Sequence, residues 1–184
     1  MAKIIATGSH GTGKTTVLKM FKQAGYPVVT EVVRKLAKEK GIEINEKGND
    51  ETQMTIFNEY INILSNTSDY FSDRGLTDVL GYSMAGLVKG TVSNTVLQEQ
   101  TRLFEKFVEE ITDIYYVYFP IEFAVVDDGV RSIDEGYRHV IDANIKWLLD
   151  ECHINYLTVH GTPEERYQQI CEFVKDPLLK YNCS

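Results

Sequence analysis

The chain has 184 residues, 43% of them hydrophobic and 25% charged, a balance that suits one globular domain over 1–184 with a single sizeable core. A net charge of −8 and a pI near 5.0 disfavour a nucleic-acid partner, whose backbone asks for a positive surface. No apolar run is long enough to span a membrane, and the first residues lack a signal-peptide pattern, so no membrane partner and a cytoplasmic location are expected. Cys152, Cys171 and Cys183 have no metal-ligand spacing and are read as reduced thiols; the histidines are scattered. There is no internal repeat, low-complexity tract or flexible linker.

Short β-branched or aromatic runs alternate with helical patterns, the signature of an α/β fold with a parallel sheet. The first run, KIIAT (3–7), breaks into Gly8-Ser9-His10-Gly11-Thr12-Gly13-Lys14-Thr15, then Thr16. This matches G-x-x-x-x-G-K-[ST], and a helix over 14–24 with Val17, Leu18, Met20 and Phe21 follows it. Glycines let the loop curl so that its N–H groups face an anion, and the helix adds its unpaired N–H groups and positive dipole end. Lys14 is expected on the β- and γ-phosphates of ATP, the Thr15 hydroxyl on Mg²⁺, and Thr16 near the α-phosphate. His10 fills a variable position of the loop and is read as a tolerated loop residue.

The second run, PVVT (27–30), leads into Glu31 and, one turn on, Arg34, in a helix over 31–40 that stops at Gly41. Together they suit an acceptor hydroxyl and its phosphate; an ordinary intrahelical ion pair is the alternative. The next helix, 50–65, carries a stripe of Met54, Phe57, Ile61 and Leu64. Phe57, Tyr60 and Gln53 on it read as core before base contacts. The third run, DYFSD (69–73), ends in Asp73-Arg74-Gly75. Strand C-terminal ends meet at the ligand crevice of such a sheet, so Asp73 is expected to hold Mg²⁺ or take a proton, and Arg74 to clamp the acceptor or the moving phosphoryl.

Helices are predicted over 77–88, with Thr77 as its N-cap, and over 94–111, with Leu103, Phe104, Phe107 and Ile111 together. The fourth run is DIYYVYF (113–119), whose Tyr115, Tyr116 and Tyr118 read as packing. A lid of about residues 120–136 follows, with a turn at Asp127-Asp128-Gly129 and with Arg131 to reach the transferred phosphoryl; Arg138 is a weaker lid candidate. Capping boxes stand at Ser132–Glu135 and, after the fifth run INYLTV (154–159), at Thr162–Glu165 with proline at the favoured first position. Lys35, Lys38, Lys40 and Lys47 alternate with Glu39 and Glu46, a solvated face. The tail 176–184 is left unassigned.

The guanine motif N-K-x-D is absent, and the fourth run ends in proline with no acid, unlike a motor ATPase. A strand-end acid–arginine pair, a second strand-end acid and a lid arginine are the kit of a small kinase.

On GSHGTGKTT, Glu31 with Arg34, DRGLTDVLGY (73–82), DDGVRS (127–132) and GTPEERYQQI (161–170), the chain resembles the AAA-type ATP-binding family of small P-loop kinases. That family includes phage-encoded nucleotide kinases and relatives of nicotinamide riboside kinase domains. The resemblance implies a three-layer P-loop NTPase fold with a five-stranded parallel sheet in 2-3-1-4-5 order. It implies substrate or phosphoryl contacts for Asp73 and Arg74, and a base or sugar contact for Glu31. It also implies the host cytoplasm as location if the chain is phage-encoded. The second strand ends in T-E-V-V-R instead of the acid–proline form common in thymidylate and deoxynucleoside kinases, which leaves the acceptor open.

The expected activity is ATP- and Mg²⁺-dependent phosphoryl transfer to a nucleoside or deoxynucleoside monophosphate, with a small-molecule acceptor as partner and a homodimer left open. The alternatives are transfer to nicotinamide riboside or to hydroxymethyluracil in phage DNA, and a non-catalytic ATP-dependent binding switch.

Overall fold

The computed structural model describes residues 2–44, 48–124 and 134–174. Arg131, the 127–129 turn, Ser132, Cys183 and the tail 176–184 lie outside the described residues.

The strands are β1 (Lys3–Thr7), β2 (Val28–Val29), β3 (Tyr70–Asp73), β4 (Ile114–Tyr118) and β5 (Tyr156–Thr158). All pair in parallel, in the order β2-β3-β1-β4-β5, which is the expected one. The helices are α1 (Lys14–Gln23), α2 (Val32–Lys40), α3 (Asp50–Asn66), α4 (Leu76–Lys89), α5 (Asn94–Glu110), α6 (Glu135–Glu151) and α7 (Pro163–Val174). None among the described residues is long and apolar enough to cross a membrane.

Side chains alternate across a strand, so β1 feeds two cores. Ile4 and Ala6 join Phe71, Val117 and Phe119 beneath α1 and α7. Ile5 joins Tyr70, Tyr116 and Tyr118 beneath α3, α4, α5 and α6. Apolar residues on both faces explain why the strands read as continuous apolar runs and not as alternating ones. The central position of β1 puts β3 on one side of it and β4 on the other. The C-terminal ends of all three therefore converge on the loop that follows β1.

Several helix ends differ from the sequence reading. The N-cap of α4 is Gly75, not Thr77: Asp78 at the third position accepts from the Gly75 N–H at 3.1 Å, while the Thr77 hydroxyl is buried against Thr7 Oγ1 at 3.0 Å. At α6 the cap is Asp134, which accepts from the Tyr137 N–H at 3.0 Å, in place of the expected Ser132 box. The box at α7 is present, with the Thr162 N–H on Glu165 at 2.7 Å and the Glu165 N–H on Thr162 Oγ1 at 3.2 Å. The buried face of α3 runs through Gln53, Ile56, Phe57, Tyr60 and Leu64, so Met54 and Ile61 sit at its margins. Cys152 is an exposed free thiol, but Cys171 is disulfide-bonded, which corrects the expectation of a reduced thiol there.

Phe21 of α1 is fully buried, with ring centroids of Tyr167 and Phe71 at 4.4 and 4.9 Å. Phe21→Ala is expected to cost about 3–5 kcal/mol, read as a lower urea midpoint at unchanged slope. Val88→Ala, at an 87% exposed position, should stay within about 0.5 kcal/mol of the parent.

Candidate active site

Two glycines give the loop its path. Gly8 has φ +133°, and a Cβ there would stand 2.5 Å from the Phe119 carbonyl oxygen, so only glycine lets β1 leave the sheet so close to the end of β4. Gly13, at φ +87°, is the left-handed residue from which α1 starts. Lys14 is buried and folds back into its own loop, donating to the Gly8 and Ser9 carbonyls at 2.6 Å each and to Thr12 Oγ1 at 3.1 Å. Burial, and then the Arg74 charge, push the Lys14 ammonium down to about 7, against the opposing pull of Asp78, Asp73 and Asp142.

The structure brings the predicted pair onto the loop. The register Ala6↔Asp73 sets the end of β3 beside the end of β1, and the Thr15 hydroxyl donates to Asp73 Oδ2 at 2.7 Å. A hydroxyl and a carboxylate oxygen form the start of a hard-cation site and fit Mg²⁺, which takes few protein ligands when phosphate oxygens complete its shell. Among the described residues no group of three or more His, Cys, Asp and Glu side chains is placed to hold a metal by itself. Arg74 is held at φ +81° while its N–H donates to the Ala6 carbonyl at 2.9 Å. Its guanidinium lies 3.7 Å from Asp78 and 5.4 Å over the Tyr82 ring.

Asp78 and Tyr82 of α4 are site residues that the sequence reading did not single out. The fully buried Asp78 accepts from the N–H groups of Gly8 and Gly75 at 3.2 and 3.1 Å, tying the start of the phosphate loop to the start of α4. Burial pushes its carboxyl up, while Arg74 and Lys14 pull it down. Tyr82 Oη meets His10 Nδ1 at 3.1 Å, so His10 is a buried packing partner of α4 and not merely a tolerated loop residue. Asp142 of α6 accepts from the Ser9 N–H at 3.4 Å and from Tyr118 Oη at 2.7 Å.

Glu31 and Arg34 stand apart from that cluster, at the rim. Glu31 caps α2 with φ 61°, its carboxylate 3.4 Å from Arg34 Nε, and both side chains are about half exposed. Between rim and loop, Gln53 is buried with its Oε1 accepting from Ser83 Oγ at 3.4 Å, and Tyr60 Oη donates to the Asp73 carbonyl at 3.1 Å. Glu31, Arg34, Gln53, Tyr60, Asp73 and Arg74 line one cavity of about 500 Å³. Its lining also includes the loop residues His10 to Thr16, together with Ile44, Phe123 and Pro163.

Arg138 does not hang from a lid. It is fully buried and donates to the carbonyls of His10 at 3.0 Å, Gly11 at 3.2 Å and Phe123 at 2.8 Å, with Glu135 at 3.1 Å. Arg166 of α7, which the sequence reading did not single out, is buried too; it donates to the Thr12 carbonyl at 2.6 Å and the Gly161 carbonyl at 3.0 Å, and pairs with Glu122. A signal for both was present. Arg138 falls in register with Ile141 and Ile145, and Arg166 with Ile170 and Val174, so each is a charge on an apolar helical stripe.

Residues 3–166 match a family model described as an AAA domain. No curated protein sequence matches the chain. Among solved structures, the NadR protein in complex with NAD and AMP-PNP is similar with a TM-score of 0.70 at 14% identity, over 95% of this chain and 50% of that one. The chain thus spans about half the length of NadR. Deoxyadenosine kinase from M. mycoides with bound dATP is similar with a TM-score of 0.68 at 15% identity, over 96% of this chain and 100% of that one. The YorR protein from Bacillus subtilis, in complex with phosphorylated GDP, has a TM-score of 0.56 at 17% identity, over 94% and 95%. At these identities the likeness is one of fold.

Two predictions follow the site's electrostatics and backbone. Between about pH 7 and 10.5 the folded chain has released the Lys14 proton while the unfolded chain still holds it, so this residue makes stability rise with pH across that window. The unfolding free energy of the parent minus that of Lys14→Met should increase from neutral to alkaline pH and be flat in acid. At Glu31, the left-handed backbone costs a β-carbon residue about 1–2 kcal/mol, against about 0.5–1 kcal/mol of extra chain entropy for glycine. Glu31→Gly should therefore hold or raise the melting temperature, and Glu31→Val should lower it.

Proposed function

The chain belongs to the AAA domain family, and on that premise we propose that it is a P-loop kinase that transfers the γ-phosphoryl of ATP to a hydroxyl of a nucleoside. The observation that carries this reading is the Thr15–Asp73 contact at 2.7 Å, in a cavity lined by the phosphate loop and also by Gln53 and Glu31. A nucleotide switch needs the loop but has no use for the further polar residues that line the same cavity. Arg34 is matched there by Glu31 and Arg74 by Asp78, and apolar residues such as Val32, Ile56 and Val79 share the lining. Such a lining favours a neutral acceptor over a monophosphate dianion. The deoxyadenosine kinase with bound dATP and the NadR structure with NR support the same class of acceptor.

In this reading Gly8 to Thr16 and the Lys14 ammonium bind the triphosphate. Thr15 and Asp73 would hold Mg²⁺, which when bound neutralises phosphate charge. The acceptor oxygen forms its bond to the γ-phosphorus as the bond to the β,γ-bridging oxygen breaks. The hydroxyl proton goes to Glu31, since the Asp73 carboxylate is engaged by Thr15. Arg74 offsets charge on the phosphoryl in transit, and Arg131 is assigned the same task from the lid; it lies outside the described residues. Most of the catalytic effect is positioning and charge neutralisation.

The test is ATP turnover with Mg²⁺ against deoxynucleosides, ribonucleosides, their monophosphates and NR, with products identified by mass spectrometry. A nucleoside should gain one phosphoryl group. Arg74→Ala should lower kcat by about 10²–10³-fold and leave ATP affinity near the parent value. ATP bound but unspent against every acceptor would favour the switch; a monophosphate as the sole acceptor would overturn the neutral-acceptor assignment.

A further inference from the structure

Every carbonyl oxygen of the six loop residues 8–13 meets a donor. Lys14 takes Gly8 and Ser9, and the Thr12 hydroxyl also donates to Ser9. The N–H groups of Thr16 and Val17 take Gly13. The three in the middle belong to two buried guanidiniums: Arg138 holds His10 and Gly11, and Arg166 holds Thr12.

In a trans peptide the C=O of one residue and the N–H of the next point to opposite sides of the chain. Drawing the carbonyls of residues 10, 11 and 12 toward the arginines therefore turns the N–H groups of Gly11, Thr12 and Gly13 the other way. Those residues line the cavity, and among the described residues none of the three N–H groups meets an acceptor. All three nitrogens of each guanidinium donate to protein oxygens; Arg166 forms part of the cavity lining and Arg138 does not. A buried charge is held at a cost that an apolar residue of equal volume avoids, so packing does not account for either residue.

We propose that Arg138 and Arg166 are positioning residues that set the affinity of the loop for the triphosphate by holding its carbonyls. They fix three consecutive peptide planes in the anion-binding orientation, polarise those peptides through charge-assisted hydrogen bonds and place two positive charges under the loop. Arg138 extends this hold to the Phe123 carbonyl. The inference rests on the reading of this loop as a triphosphate site.

The experiment is calorimetric titration of the full chain with Mg²⁺ and inorganic tripolyphosphate, for the parent, Arg138→Gln, Arg166→Gln, and the lysine variant at each position. Thermal melts and acceptor KM at saturating ATP are measured alongside. Each glutamine variant should bind tripolyphosphate about tenfold or more weakly with acceptor KM unchanged, and each lysine variant should fall between, since a point charge replaces a planar fork. Parent affinity in any folded variant, whatever its melting temperature, overturns the proposal; where glutamine prevents folding, the lysine variants decide. A second arm needs no variant. In ¹H–¹⁵N spectra of the parent, tripolyphosphate should move the amide signals of Gly11, Thr12 and Gly13 and leave the Nε–H signals of Arg138 and Arg166 nearly in place. Large movement of the arginine signals would mean direct phosphate contact and overturn it. A parent that binds neither tripolyphosphate nor ATP would instead bring down the triphosphate reading, and this inference with it.

Discussion

A loop that holds an anion by its backbone must turn its N–H groups inward, and every carbonyl it turns outward then needs a donor. Much of this molecule is arranged around that requirement. Donors arrive from α1 (Lys14, Thr16, Val17), from α6 (Arg138) and from α7 (Arg166), while α4 supplies Asp78 to the Gly8 N–H and α6 supplies Asp142 to the Ser9 N–H. Elements from both sides of the sheet thus close on one loop of six residues. Removing one guanidinium would leave buried carbonyls without partners, and each such group carries a desolvation penalty of about 1–3 kcal/mol.

The same crowding appears as backbone strain. Glu31 and Arg74 adopt positive φ values of 61° and 81°, although neither is glycine or asparagine. Both follow strands that end at the cavity. Such conformations cost of order 1–3 kcal/mol each and persist where surrounding contacts over-determine them. For Arg74 those contacts are visible: its N–H is bound to Ala6, its carbonyl to the Ser72 hydroxyl at 2.6 Å and its guanidinium to Asp78. Glu31 has the Lys35 N–H on its carbonyl at 2.9 Å and an exposed ion pair of small energetic value.

Identities of 14–17% at TM-scores of 0.56–0.70 show how little of the sequence the fold requires. Parallel strands buried on both faces accept any β-branched or aromatic residue of suitable volume. The polar residues that line the cavity have no such latitude, because each buried polar group there must be matched. Gln53 with Ser83 and Tyr60 with the Asp73 carbonyl are local solutions that need not recur in a relative of the same fold.

The sequence by itself determined the strand order's ingredients, the phosphate loop, and the pairing of Asp73 and Arg74 with it. Each of these is written locally, in a strand-sized apolar run, a glycine spacing or a strand-end dipeptide, and local chemistry is what periodicity and motif report. The helix caps at Gly75 and Asp134 were misplaced by a few residues because neighbouring hydroxyls and carboxylates compete for the same N–H groups, and packing of Thr77 against Thr7 settled one of those contests. Only the tertiary structure decided the fate of Arg138, Arg166, Asp78 and His10. Arg138 and the loop carbonyls it holds are separated by 127 and 128 residues, and Arg166 and its carbonyl by 154. A buried charge on an apolar stripe announces that a partner exists, but which oxygen neutralises it depends on which elements the sheet brings together, and no local pattern carries that information.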